Sequence, residues 1–185
     1  MIERNKLGVL CFIGSEVFFF AVLIIAYLYY TPWTGEGPNA ANSLDPVTAG
    51  IFTALLLASS LTLWRAEKSA ERARPGALRI WLLATVILGA AFLAGQGREY
   101  LGLLSRNVTV DRSLFGTTFF TLTGFHGLHV LSGLIALLIL LGLVFAGRLA
   151  GPRAVGLRAV GWYWHFVDAV WVVIFGIVYL LPHVI

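Results

Sequence analysis

The run Leu114–Ala146, LFGTTFFTLTGFHGLHVLSGLIALLILLGLVFA, contains no Asp, Glu, Lys or Arg. It is far longer than the roughly 20 residues that one crossing of a bilayer core needs, yet too short for two crossings and a turn. Its apolar residues are continuous rather than alternating, which predicts a helix and not a barrel strand. A single long span, tilted or protruding, accommodates the excess length. Two histidines stand in its middle, within Gly124-Phe125-His126-Gly127-Leu128-His129-Val130-Leu131-Ser132-Gly133. Three residues apart on a helix, His126 and His129 share a face. An ionisable group at membrane depth costs free energy and marks a candidate functional site with a partner to be found. The same pattern also serves imidazoles that only hydrogen-bond across a helix interface. The surrounding glycines and Ser132 would let a neighbouring helix approach closely.

The rest of the chain agrees with this reading. Of 185 residues, 59% are hydrophobic and only 12% charged, with mean hydropathy +0.87. A soluble domain carries roughly 25% charged residues. Four further spans are expected, at about 7–30, 46–64, 78–103 and 161–181, with the long one at 114–146. The expected fold is therefore all-α: one domain, a polytopic bundle of five transmembrane helices. Arg4 and Lys6 precede a first run about twice the length of a signal-peptide core, so that run is read as a retained span. Tyr27, Tyr29, Tyr30 and Trp33 close it as an interfacial aromatic belt. Asp45 and Pro46 suit the cap and first turn of the second helix.

Net charge is +4, and its distribution excludes a nucleic-acid partner. The cations sit in particular loops, and no basic, aromatic-interleaved soluble segment exists. Lys and Arg number 2, 5 and 3 before the first span and in the second and fourth loops, against 0 and 2 in the first and third. The N-terminus is thus expected in the cytoplasm and the C-terminus outside. One cysteine, Cys11, excludes an intrachain disulfide and a cysteine-based metal cage.

With this topology, Glu16 and Asp168 fall at similar depth in the inner half of the membrane, and His129 falls within reach of the Glu16 layer. Glu16 is a candidate proton-holding carboxylate; a polar tie between helices is the other reading. Gln96 and Glu99 share a face near the opposite side of the membrane. Trp164, Asp168 and Trp171 lie at i, i+4, i+7 on the last span, and His165 could hydrogen-bond Asp168. Trp164 and Trp171, with Trp64, Arg65 and Lys68, are expected at the lipid or an interface. Together His126, His129, His165, Asp168, Gln96 and Glu99 form the expected buried polar interface. A haem or copper site needs ligands converging from facing helices, and only His126, His129 and His165 lie in or near spans, so no metal is expected in this chain. No Glu-x-x-His pair, Cys-x-x-Cys-His attachment, nucleophilic triad or phosphate loop is present.

These residues resemble subunit III of the haem–copper oxidases, the cytochrome c and quinol oxidase family. The likeness rests on Ser15-Glu16 with Phe18-Phe19-Phe20, on Leu55-Leu56-Leu57-Ala58-Ser59-Ser60-Leu61-Thr62, and on Gln96, Glu99 and Tyr100. It rests most on Phe115-Gly116-Thr117-Thr118-Phe119-Phe120 followed by Thr123-Gly124-Phe125-His126-Gly127-Leu128-His129, and on Trp162-Tyr163-Trp164-His165-Phe166-Val167-Asp168 with Trp171. The resemblance implies an accessory subunit of a proton-pumping terminal oxidase in the cell inner membrane, with no redox centre of its own. Haem and copper would reside in partner subunits. It implies direct packing on subunit I, association with subunit II, bound phospholipid, support of proton uptake and protection against turnover inactivation. The family's acidic residue falls on Glu16, its paired histidines on His126 and His129, and its last aspartate on Asp168. Many members have seven helices, the first two forming a lipid-holding cleft. This chain resembles the five-helix form, which implies that the cleft is not formed within this polypeptide alone. Histidines that members carry after the second helix are replaced here by Ala66 and Glu67. A subunit-III-like partner of a nitric oxide reductase is a second reading. A small transporter is a third; it requires inverted repeats and broken helices around a midplane site, and neither is visible.

Overall fold

The computed structural model describes residues 2–31, 38–148 and 155–183. Trp33 and Arg153 lie outside the described residues, as do the side chains of Arg4 and Lys6. The helices are α1 (Ile2–Tyr30), the single turn α2 (Ala40–Ser43), α3 (Pro46–Glu71), α4 (Pro75–Ser105), α5 (Leu114–Phe145) and α6 (Val155–Phe175). A π-helical stretch, Gly176–Leu180, continues α6. Five of these helices are long and apolar enough to cross a membrane.

Local chemistry sets several helix ends. Asp45 caps α3, its carboxylate accepting from the Val47 amide at 3.0 Å, and Pro46 follows at the first helical position, where its missing N–H costs nothing. Ser113 caps α5 by accepting from the Gly116 amide at 2.9 Å. Gly116 permits this turn, because a Cβ there would stand 2.2 Å from the Thr109 carbonyl oxygen. Between α3 and α4 only Arg72, Ala73 and Arg74 are non-helical, with Ala73 in the left-handed region at φ 51°.

The helices close a ring: α3 packs on α4, α4 on α5, α5 on α6, and α6 returns to α3. Helix α1 stands outside the ring, against α5 and α6. Its buried side chains among those described are Phe20 and Tyr27, seven residues apart. A narrow stripe of this kind is what a helix held on one side requires.

Two indoles from α6 fill the ring. Trp164 is 0% exposed and Trp171 is 2% exposed. Trp164 Nε1 donates to Ser59 Oγ of α3 at 2.9 Å, and Trp171 Nε1 donates to Thr53 Oγ1 of α3 at 2.9 Å. Gly89 of α4 and Gly133 of α5 face the Trp164 ring from two sides. Phe92 of α4 meets Trp171 edge-on, centroids 4.8 Å apart. This corrects the expectation that Trp164 and Trp171 lie at the lipid or a membrane interface. Seven residues apart, both point to the bundle axis, and α3 hydroxyls satisfy their N–H groups there.

Candidate functional site

Glu16 and His129 meet across α1 and α5. His129 Nε2 stands 2.9 Å from Glu16 Oε2, and its Nδ1 stands 2.7 Å from the Phe125 carbonyl oxygen. A carbonyl oxygen only accepts, so Nδ1 carries hydrogen. The Nε2–Oε2 contact must then hold a proton between two groups that could each own it, as carboxyl with imidazole or carboxylate with imidazolium. Phe20 packs edge-on against the imidazole with centroids 4.9 Å apart, and Tyr163 OH donates to the His129 carbonyl at 3.0 Å. The two side chains are only 18% and 17% exposed. The arrangement is a sheltered, proton-sharing pair tying the outer helix to the ring.

Asp168 of α6 is buried. The expected direct bond between His165 and Asp168 is replaced by a bridge through α3. Ser60 Oγ donates to Asp168 Oδ2 and lies 2.8 Å from His165 Nδ1. A hydroxyl has one hydrogen, so with it given to Asp168, His165 Nδ1–H donates to Ser60. The sequence motif shows His165 and Asp168 but not Ser60, whose hydroxyl is one of many.

His126 departs from its neighbour. It is 0% exposed and stacks on Trp171, centroids 4.8 Å apart and planes at 28°. Neither ring nitrogen has a hydrogen-bond partner. Residues three apart on a helix differ by about 60° in direction. His129 therefore reaches α1 while His126 reaches the ring interior. His126 acts there as a flat ring in an aromatic layer with Phe20, Phe92 and Trp171. Replacing it with leucine removes two unsatisfied buried nitrogens at similar volume. We expect His126→Leu to change the melting temperature of the solubilised protein by only a few degrees, since such exchanges cost less than about 1.5 kcal/mol. A collapse in thermal-shift measurements would show that the nitrogens have partners that matter.

At the other end of the bundle, Gln96 Nε2 donates to the Thr123 carbonyl at 3.0 Å, and Tyr100 OH lies 2.7 Å from Thr123 Oγ1. Glu99 accepts from Tyr179 OH at 2.6 Å. Gln96 and Glu99 thus serve different neighbours, α5 and the π-helical stretch. Both line a cleft of about 510 Å³ that also touches Asp45, Arg98, Arg106 and Trp171. Hydrogen bonds from the Thr48 side chain and backbone, then from the Val47 amide, hold the Asp45 carboxyl below its ordinary range.

Trp64 is 52% exposed. Arg65 lies over the Trp81 ring at 4.8 Å, and Lys68 pairs with Glu71 at 3.2 Å. Glu71 also pairs with Arg158 at 2.9 Å, joining α3 to α6. Among the described residues, no three His, Cys, Asp or Glu side chains gather as metal ligands would.

Comparison with known proteins finds relatives over nearly the whole chain. The family model for cytochrome c oxidase subunit III matches residues 2–182. A probable cytochrome c oxidase subunit 3 of Mycobacterium leprae is 36% identical over 95% of this chain and 87% of its own length. A cytochrome c oxidase subunit 3 of Corynebacterium diphtheriae is 34% identical, with the same shares of both chains. A cytochrome bo(3) ubiquinol oxidase subunit 3 of Pseudomonas aeruginosa is 32% identical over 94% of this chain and 83% of its own.

Proposed function

Because the chain belongs to the cytochrome c oxidase subunit III family, we propose that its Glu16–His129 pair supports proton uptake by the catalytic subunit of the oxidase. The chain is an accessory subunit III of a haem–copper oxidase and a multi-pass membrane protein, and it works in a complex with other oxidase subunits. In this reading it packs directly on subunit I, associates with subunit II and holds phospholipid in the cell inner membrane. Haem and copper stay in those partners. The cation-rich α3–α4 turn faces the cytoplasm, as the Lys and Arg distribution favours.

The observation that carries the reading is the 2.9 Å contact between Glu16 and His129. A pair sharing one proton in a sheltered site can exchange it locally without exposing a bare charge to the apolar interior. The test is Glu16→Gln in the assembled oxidase. Glutamine keeps a hydrogen bond to Nε2 but cannot accept or release a proton. The complex should assemble with unchanged haem absorption while proton-uptake kinetics slow modestly or turnover lifetime shortens. Unchanged uptake and lifetime would reduce Glu16 to a packing residue.

A further inference from the structure

We propose that Trp171 and Tyr179 form a relay that carries a one-electron oxidising equivalent out of the bundle core, with Glu99 holding the phenol proton while Tyr179 is oxidised. Indole and phenol are the aromatic side chains that give up an electron most readily. Both rings are buried here, with centroids 6.2 Å apart. Eight residues separate them, which in a regular α-helix would turn Tyr179 about 80° away from Trp171. The π-helical stretch Gly176–Leu180 intervenes. Its i to i+5 bonding takes up one extra residue per turn, so the following side chains are set back towards their earlier face. Tyr179 is thereby returned to the side of the helix that bears Trp171, and there it meets Glu99 of α4.

The hydrogen bonds of the two rings differ in kind. Trp171 Nε1 donates to the Thr53 hydroxyl, which donates onward to the Ala49 carbonyl. Neither group can keep a proton, so an oxidised Trp171 stays a radical cation and draws an electron from its neighbour. Tyr179 OH donates to Glu99 Oε2 at 2.6 Å, a length typical of a hydroxyl given to an ionised carboxylate. Tyr100 and Tyr163 instead meet the Thr123 hydroxyl and the His129 carbonyl, which are no proton acceptors. The hole therefore comes to rest on Tyr179. The step balances: the oxidant takes one electron from Trp171, and Trp171 takes one from Tyr179. The phenol O–H bond breaks and its proton passes to Glu99 Oε2. A neutral phenoxyl is left beside a neutral carboxyl, the arrangement that an apolar interior favours. A one-electron reductant then restores the phenol, and Glu99 returns the proton.

Trp171, Tyr179 and Glu99 all line the cleft of about 510 Å³ at the end of the bundle opposite the α3–α4 turn. A small reductant of the hydroquinone or enediol class seated there would lie against the oxidised ring. The oxidant is a one-electron oxidant derived from partly reduced oxygen, which an oxygen-reducing complex generates. In that respect the relay rests on the reading of the chain as an oxidase subunit.

The experiment is freeze-quench EPR of the purified oxidase complex mixed with hydrogen peroxide, with ring-deuterated tyrosine incorporated to identify tyrosyl signals. The difference between the wild-type and Tyr179→Phe complexes should be a neutral tyrosyl radical; identical spectra would overturn the relay. Tyr179→Phe keeps the buried ring, so this comparison does not depend on a large change in the core. Glu99→Gln still accepts the phenol hydrogen bond but cannot keep a proton. It should lower the Tyr179 signal on the order of tenfold and leave the hole on tryptophan. An undiminished tyrosyl signal would remove Glu99 from the step. Trp171→Phe should abolish the Tyr179 signal, and a persisting signal would mean direct oxidation and sink the route through the indole. Haem absorption tests the oxidase reading and EPR tests the relay, so the two fail separately.

Discussion

Gly133→Ala is expected to lower the stability of the subunit by about 1–3 kcal/mol, the cost of overpacking a filled core. A Cβ at Gly133 would stand 2.8 Å from Trp164 Cε3, and one at Gly89 would stand 2.7 Å from Cη2 on the other side of the ring. The indole cannot step away cheaply. It is fully buried, and its Nε1 is tied to Ser59. Gly89→Ala should therefore cost a similar amount, and Gly133→Val should stop the folded protein from accumulating in the membrane. Thermal unfolding in detergent measures the alanine variants, and a double-mutant cycle with Trp164→Phe identifies the cause. The smaller ring should absorb part of the added methyl, so the double variant should lose less than the sum of the two single losses. Additive losses would mean that Gly133 acts on something other than Trp164.

The same tryptophan shows where reading the chain alone stops. The five spans are legible because an apolar run of bilayer length has few alternatives in water. The helix ends are less so. Spans at about 46–64 and 78–103 leave a charged connection between them, yet α3 continues to Glu71 and α4 starts at Pro75. Charge marks where the membrane surface begins, whereas Arg, Lys, Glu and Ala remain good helix formers beyond it. Trp164 and Trp171 resemble an interfacial belt when α6 is read alone. Their burial depends on Gly89, Gly133, Ser59 and Thr53, which lie on other helices. Complementarity between helices has no signature within one of them.

The polar site divides in the same way. The nearness of Glu16 and His129 follows from depth, because topology and a fixed rise per residue put both in one layer. The separation of His126 from His129 does not follow, since it depends on which side of α5 the ring and α1 occupy. Nor does the bridge at Ser60, since serine hydroxyls are frequent near helix interfaces and only the packing of α3 on α6 selects this one.

His129→Leu is expected to be the most damaging change in the polar site, and more damaging than removing both partners. With the imidazole gone, the sheltered Glu16 carboxyl loses the hydrogen-bond partner that stood 2.9 Å away. Stranding one member of a buried pair costs up to about 3–5 kcal/mol, and replacing both with apolar residues is often neutral. The residual exposure of this pair, 18% and 17%, brings the expected single loss to about 1–3 kcal/mol. Glu16→Leu/His129→Leu should then recover most of the thermal stability that His129→Leu loses. Equal losses in the single and double variants would show that the pair contributes nothing as a pair. The double variant also separates structure from function. A helix tie needs only packing between α1 and α5, so apolar replacement should restore turnover lifetime together with stability. A shared proton cannot be restored by leucine. The proposed function therefore requires the double variant to regain its melting temperature while proton uptake or turnover lifetime stays impaired, and recovery of all three would leave Glu16 and His129 as a tie between helices.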